Sequence, residues 1–281
     1  MIPAYNEEPV IARCLDVLLL DALPGEFEVI VVANGCKDRT ADVARAHGVR
    51  VVETPVGSKS HALNLGDQAA TTFPRLYLDA DIELSTVGAR AIADAVSRPG
   101  ALTAATRLVP KFGPGHTRPL KQYYHVWTQL PYVRNGVVGS GLYALSAEGR
   151  SRFAQFPPII ADDRFVERLF TAQERTRVNT SFVMHPPLRV RDLARVMARA
   201  WTGNVQLEKS ADVLLPAGAP LAPMWKAAAR RFFAVARQPS LCVALPVYIC
   251  VYVYVRLVGS LRARRGRTEW VTDSSARLGR P

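Results

Sequence analysis

The sequence is poor in cysteine. Its four cysteines, Cys14, Cys36, Cys242 and Cys250, show neither metal-ligand spacing nor a dense disulfide framework. That excludes a structural zinc module and a stapled secreted scaffold, and it suits a reducing cytoplasm. Acid is also short, with 24 Asp and Glu against 36 Lys and Arg, a formal net charge of +12. No nucleic-acid motif accompanies this excess, so nucleic acid is not expected as a partner. Anionic lipid headgroups or phosphorylated ligands are the expected partners of a basic face. Much of the excess lies in the C-terminal third, in Arg189 to Arg199, Arg230-Arg231 and Arg262-Ala263-Arg264-Arg265-Gly266-Arg267. Internal repeats are absent. No secretory leader is expected, because Met1-Ile2-Pro3 runs straight into a folded-domain pattern. Only Ile2 precedes Pro3, less than a buried first strand calls for. An upstream start and a clipped first strand both remain open.

Apolar residues make up 49% of the 281, enough to bury a full core. Residues 2–5 read as the end of a strand, and Asn6-Glu7-Glu8 as the start of a helix. Val10, Ile11, Cys14, Leu15 and Leu18 then recur at helical spacing. Residues 28–33 form an apolar run of strand length, as in a parallel strand covered on both faces. A turn at 34–38, a helix at 40–46, a strand at 49–52, a helix at 60–70 and a strand at 75–78 follow. This alternation predicts a doubly wound α/β sheet, whose ligands bind beyond the carboxyl ends of the strands. Tyr5-Asn6-Glu7, Asn34 and Asp79-Ala80-Asp81 stand at those ends.

The second half is less regular. Strands are expected at 101–109, 142–145 and 181–184, and helices at 120–130 and 193–201. Residues 111–117 form a Gly/Pro-rich loop. Asp162-Asp163 opens an amphipathic helix with Phe165, Val166, Leu169 and Phe170 on one face. Residues 241–255 are fifteen in number without a charge, short of the roughly 20 that span a bilayer. Pro246 interrupts them, Arg256 follows, and Tyr248, Tyr252 and Tyr254 suit a membrane interface. An interfacial or re-entrant anchor is therefore favoured over a clean span, with a buried core segment as the other reading.

Asp79-Ala80-Asp81 places two carboxylates around a small residue just past an apolar strand. Mg2+ or Mn2+ prefers such hard oxygen ligands and is commonly shared with substrate phosphates, where it offsets charge on a leaving diphosphate. Glu83 either adds a ligand or is a solvated acid. Asp162 and Asp163 form a second carboxylate pair. One of them suffices as a general base, and its like-charged neighbour raises its pKa toward a useful range. A helix N-terminus explains the same two residues without chemistry.

Four motifs now stand in order. They are Ile2-Pro3-Ala4-Tyr5-Asn6-Glu7-Glu8, Val31-Val32-Ala33-Asn34-Gly35-Cys36-Lys37-Asp38-Arg39-Thr40, Gly57-Ser58-Lys59-Ser60-His61-Ala62-Leu63-Asn64 and Leu78-Asp79-Ala80-Asp81. Together they resemble family 2 glycosyltransferases of the GT-A fold. A weaker likeness continues to about residue 207 and, in Glu269-Trp270 to Arg277, into an extension of some members. The resemblance implies inverting transfer from a nucleotide-diphosphate sugar, with Mg2+ or Mn2+. It implies that Pro3, Ala4, Tyr5 and Glu7 line the nucleotide pocket, that Lys59 approaches the phosphates, and that Asp79, Ala80 and Asp81 clamp metal and diphosphate. Asn34 stands where many members have an acidic residue that contacts the base. The general base carries over to Asp163, with Asp162 beside it. Gly139, Ser140 and Gly141 fall at the loop beside the acceptor, and His185 at a position where some members ligate the metal. Arg199 and Trp201 fall near the Gln-x-x-Arg-Trp region of processive synthases, but Met197 and Ala200 occupy the Gln and Arg places. Processive synthesis is therefore not expected.

The expected organisation is a catalytic domain at 1–207, with a nucleotide-sugar half at 1–100 and an acceptor half at 101–207. A basic and apolar extension follows at 208–281, placing the protein at the cytoplasmic face of the membrane. The expected acceptor is a lipid-linked or cell-envelope glycan, with polyprenyl phosphate as the variant. A non-catalytic scaffold on a degenerate transferase fold is the second class. A nucleotidyltransferase is the third, and Tyr5-Asn6-Glu7-Glu8 lacks the Gly-rich phosphate loop it wants.

Overall fold

The computed structural model describes residues 1–130, 133, 140–171, 173–210 and 241–264. The first half alternates as expected: β1 (Ile2–Ala4), α1 (Glu8–Leu19), β2 (Ile30–Asn34), α2 (Thr40–Ala46), β3 (Arg50–Thr54), α3 (Lys59–Ala69) and β4 (Arg75–Leu78). The second half adds β5 (Ile82–Glu83), α4 (Thr86–Val96), β6 (Thr103–Pro110), α5 (Arg118–Trp127), β7 (Leu142–Leu145) and α6 (Ala147–Arg150). It ends with α7 (Asp162–Arg168), β8 (Arg175–Met184), α8 (Val190–Lys209) and α9 (Leu245–Arg264).

Strands β1, β2 and β3 are parallel, with β2 in the middle and buried along its whole length. A mixed sheet continues in the order β4-β7-β6-β8-β5. Met1 joins the two. Its nitrogen donates to Leu76 O at 2.8 Å, and its carbonyl accepts from Leu78 N at 3.0 Å, the pattern of a parallel pair. Helix α1 buries the five residues its periodicity predicts, Val10, Ile11, Cys14, Leu15 and Leu18. Burial of that stripe, more than helix propensity, holds such a helix in place.

Strand β5 and helices α4 and α6 are elements the sequence reading did not place, and three others differ from expectation. Strand β8 begins at Arg175, six residues before the apolar run at 181–184. Its polar first half pairs in parallel with β6, whose register shifts between Ala105 and Arg107. Helix α8 is 20 residues long and runs past residue 207 to Lys209. The C-terminal segment is a 20-residue helix that begins inside the fifteen uncharged residues and runs nine residues beyond them, and by length and composition it is sufficient to cross a membrane. The helix absorbs Arg256 because the guanidinium lies over the Trp201 ring at 4.0 Å and the Tyr252 ring at 4.8 Å. That contact spends the charge on the protein rather than on solvent.

Helix α9 also packs on the domain. Tyr248 stacks on Tyr123 of α5, Trp201 Nε1 donates to Ser260 Oγ at 3.1 Å, and Thr202 Oγ1 donates to Gly259 O at 3.2 Å. Gly259 makes this closeness possible, since a Cβ there would lie 2.6 Å from Trp201 Cδ1 and 2.8 Å from Ala198 O. Gly259→Ala should gain helix propensity yet lose net stability. The overpacking costs about 1–3 kcal/mol against roughly 1 kcal/mol of propensity. A lowered thermal midpoint is the expected reading, and a raised one would show that α8 and α9 do not pack this closely.

Candidate active site

The loops after β1 and β2 are stitched together. Asn6 adopts φ 53, a left-handed conformation that asparagine tolerates, and its Oδ1 accepts from Lys37 N at 2.8 Å. Glu7 N donates to Thr40 Oγ1 at 2.8 Å and Glu8 N to Asp38 Oδ2 at 3.1 Å. Gly35 has φ 63, and a Cβ there would meet Gly57 Cα at 2.8 Å, so this turn closes directly on the loop before α3. Asn34 is buried. Its Nδ2 donates to Ala4 O at 2.9 Å, fastening β2 to β1, and its Oδ1 has no hydrogen-bond partner. Pro3 and Ala4 are buried in β1, and Tyr5 is half-buried just past it.

Lys59, the first residue of α3, reaches across the sheet ends. Its Nζ lies 2.8 Å from Asp79 Oδ1 and 3.1 Å from Asp162 Oδ1. Burial disfavours the ammonium, but Asp162 and Asp79 outweigh it and hold the Lys59 pKa above its ordinary value. Asp162 is 2% exposed and accepts from Tyr143 OH at 3.2 Å. Burial raises its pKa to about 6, with Lys59 opposing and Asp163 and Asp79 adding to the rise.

Asp163 faces the other way. It is half-buried, and its Oδ2 accepts from Ser140 N at 3.0 Å. Ser140 has φ 58 and Gly141 φ 99, so the chain turns sharply here. Gly141 O accepts from Asp79 N at 2.8 Å. A Cβ on Gly141 would meet Ile82 at 2.8 Å and Asp79 Oδ2 at 3.5 Å, so only glycine fits. Lys59, Asp79, the Ser140-Gly141 turn, Asp163 and Asp162 thus close into a ring, although Lys59 and Asp163 lie far apart in the sequence.

Ala80 is buried in the core and Asp81 is exposed. Glu83 is buried at 8% exposure, and its Oε1 lies 2.5 Å from His185 Nε2 and 3.0 Å from Arg13 Nε. Lys111 Nζ is 3.6 Å from its Oε2. Burial lowers the His185 pKa, against the opposing hydrogen bond to Glu83. Among the described residues, no three His, Cys, Asp or Glu are gathered tightly enough to hold a metal ion. The donors present, an exposed carboxylate at Asp81 and an imidazole at the facing strand end, still suit a cation that takes its other ligands from a diphosphate. Trp201 lies against α9 and not in the ring, and Arg199 stands on α8 two residues before it. Gly139 lies outside the described residues, as do Arg230-Arg231 and residues 265–281. Tyr143 went unnoticed in the sequence, where it reads as one residue of an apolar strand. A phenol in the second position of that strand, just past the Gly139-Ser140-Gly141 loop, was the available signal.

The fold and these strand-end residues define a nucleotide-sugar type of α/β domain, and the comparisons agree. Residues 1–145 match the family described as glycosyl transferase family 2, so the chain belongs to that family and has its GT-A fold. The uncharacterized glycosyltransferase EpsJ of Bacillus subtilis is 33% identical over 91 residues, 31% of this chain and 26% of that protein. The 4,4'-diaponeurosporenoate glycosyltransferase of Staphylococcus aureus is 36% identical over 88 residues, 29% of this chain and 23% of that protein. The chain thus spans about a quarter of the length of these curated relatives. Among solved structures, a Pyrobaculum calidifontis mannosyltransferase in complex with GDP-Man and Mn2+ aligns with a TM-score of 0.60 at 22% identity, over 94% of this chain and 76% of that one. Glucosyl-3-phosphoglycerate synthase from Mycobacterium tuberculosis, with Mn2+, UDP-glucose and phosphoglyceric acid, aligns with a TM-score of 0.52 at 21% identity, over 73% and 77%. At these identities the two structures share the fold.

The Asp162 shift carries a stability consequence. Its folded-state pKa, about 6, lies above the ordinary 3.8, so the folded state holds the proton more tightly. The associated stability is complete below about pH 4 and is lost as pH rises through 6. Denaturant midpoints of wild type should therefore fall over that window relative to those of Asp162→Asn. Parallel pH curves for the two proteins would show that Asp162 titrates normally.

Proposed function

We propose that this chain is an inverting glycosyltransferase that moves a sugar from a nucleotide-diphosphate donor to a hydroxyl of a membrane-linked or cell-envelope acceptor. The observation that carries the reading is the convergence of Lys59, Asp79, Asp162 and Asp163 on the Ser140-Gly141 turn. Residues 1–100 hold the donor, 101–207 the acceptor side, and 208–281 form the extension.

Pro3, Ala4, Tyr5 and Glu7 line the nucleotide pocket at the joined loops after β1 and β2. Asn34 keeps those strands together, and its unpartnered Oδ1 offers an acceptor to a base N–H. Lys59 turns from Asp79 toward the diphosphate when the donor enters. Asp81 and His185 are the residues that would hold Mg2+ or Mn2+. When bound, that ion supplies Lewis-acid neutralisation of the leaving diphosphate. Asp163 accepts the acceptor's hydroxyl proton while the new bond forms at the anomeric carbon, on the face opposite the breaking bond to phosphate. Asp162 is sealed against Lys59 and Tyr143, so it keeps Lys59 in place and leaves the base role to its half-buried neighbour Asp163. Arg199 lies on the acceptor half, and Trp201 there holds the extension against α8.

Helix α9 presents Ile249, Val253, Leu257 and Leu261 outward at four-residue spacing, with Arg262 and Arg264 at its end. An apolar stripe beside basic residues fits the interface of an anionic, cytoplasm-facing leaflet.

Two experiments test this. Release of UDP or GDP from a panel of UDP- and GDP-sugars should require Mg2+ or Mn2+ and vanish in Asp81→Asn; release that ignores both would contradict the reading. Flotation with phosphatidylglycerol vesicles should be lost in Val253→Asp/Leu257→Asp, whose side chains are exposed and whose fold should persist. Undiminished flotation would remove α9 as the docking face.

A further inference from the structure

Helix α3 holds the approach to the Asp162-Asp163 pair at two points. Lys59, its first residue, reaches Asp162 directly. Further along the same helix, Asn64 grips the chain that leads into the pair. Its Nδ2 donates to Phe156 O at 3.1 Å and its Oδ1 accepts from Phe156 N at 2.8 Å, so one side chain satisfies both backbone groups of a residue 92 positions away. An amide carries a donor and an acceptor side by side, and only one setting of it makes both bonds. The buried Phe156 ring is held as well. Its centroid lies 5.4 Å from that of Tyr77 and 4.9 Å from that of Phe153, and Phe153 lies 5.3 Å from Phe165 of α7.

The segment from Phe156 to Asp162 needs such a hold. Lys59 and Asn64 stand about 7.5 Å apart along the helix axis, whereas the segment would reach about 20 Å if extended. Part of the slack is taken up in a turn, where Ile159 N donates to Pro157 O at 2.7 Å. The rest is pressed against α8. There Gly203 leaves room that a Cβ would fill, 2.8 Å from Ile160 Cβ and 3.0 Å from Ala161 N. Helix α7 then starts after Ala161 with no side-chain cap and runs for only seven residues. A helix that short does not sustain itself, so its placement comes from what holds the chain around it. We propose that Asn64 is a positioning residue for the general base: holding Phe156 from α3, against the Gly203 contact on α8, it sets where α7 begins and so where Asp163 stands. The inference rests on the reading of Asp163 as the base for its catalytic consequence; its geometric half stands without it.

The first test needs no substrate. Ser140 N donates to Asp163 Oδ2, so the Ser140 amide reports where that carboxylate stands. Its hydrogen exchange, followed by NMR, should quicken in Asn64→Ala about as much as in Asp163→Ala, while the amides of β2 keep their wild-type rates. A wild-type rate at Ser140 in Asn64→Ala overturns the proposal. Should β2 exchange rise as well, the domain has loosened, and Asn64→Asp, which keeps the acceptor for Phe156 N, takes its place with the same two outcomes. The second test measures UDP or GDP release, with Mn2+, from a nucleotide sugar that the wild type turns over. Asn64→Ala should lower kcat by about 100-fold, the scale of a misplacement of one ångström, leave the donor KM within a factor of two, and add almost nothing in Asp163→Asn. An equal loss in both backgrounds means Asn64 acts without Asp163 and overturns the proposal. Undiminished release in Asp163→Asn alone would instead sink the reading of Asp163 as base, and the catalytic consequence of Asn64 with it.

Discussion

Asp163→Asn should lower turnover by about 100- to 10,000-fold, the range a positioned general base supplies, while donor affinity stays within a factor of two. Asn is nearly isosteric, so it can still accept from Ser140 N, which Asp163 Oδ2 now does at 3.0 Å. The turn at 140–141 therefore survives, and with it the bond from Asp79 N to Gly141 O. Proton acceptance is the property that goes. The complementary substitution, Asp162→Asn, should act differently. It removes a buried anion from Lys59 Nζ, 3.1 Å away, so donor affinity changes along with turnover. Steady-state kinetics on the two variants would show the split. If Asp163→Asn lost donor binding and Asp162→Asn lost only turnover, the roles of the neighbours would be exchanged.

Asp81→Ala should abolish transfer and, in the same protein, the dependence on Mg2+ or Mn2+. Asp81 is exposed, and Ala80 rather than Asp81 is packed in the core, so the fold should be indifferent to the change. Asp79→Ala should be worse for the fold. It leaves Lys59 with Asp162 alone and opens the space beside Gly141. Comparing thermal midpoints of the two variants separates the outer carboxylate from the inner one. Full activity in Asp81→Ala would contradict the clamp.

Much of the site was legible because parallel strands advertise their ends. In 30–34 and 75–78 a short apolar run stops at a polar residue, and that boundary is where the ligand end of a doubly wound sheet lies. The helices between carry a one-sided stripe, which α1 shows residue for residue. The second half hides the same information. Strand β8 pairs with β6 from some seventy residues away, and its first half, Arg175 to Thr180, is too polar to read as a strand. Two-residue β5 has no pattern at all, yet it pairs with β8 with Glu83 opposite Val183, and Glu83 Oε1 lies 2.5 Å from His185 Nε2. Lys59 looked like a phosphate ligand, and only the fold reveals that Asp79 and Asp162 hold it. The C-terminal helix extends past its uncharged run for a similar reason. Arg256 ends an apolar run in sequence, but in space it is absorbed by Trp201.

The central claim, a nucleotide-diphosphate clamp that works through a divalent ion at Asp81, is tested most directly by thermal unfolding with UDP and GDP, each with and without Mn2+. A ligand that binds only the folded chain raises its midpoint by mass action, on the order of 5 °C at a hundredfold excess over Kd. One nucleotide should stabilise the wild type in the presence of Mn2+ and far less in its absence, and the gain should disappear in Asp81→Ala. Equal stabilisation of wild type and Asp81→Ala, or no stabilisation by either nucleotide, would contradict the account.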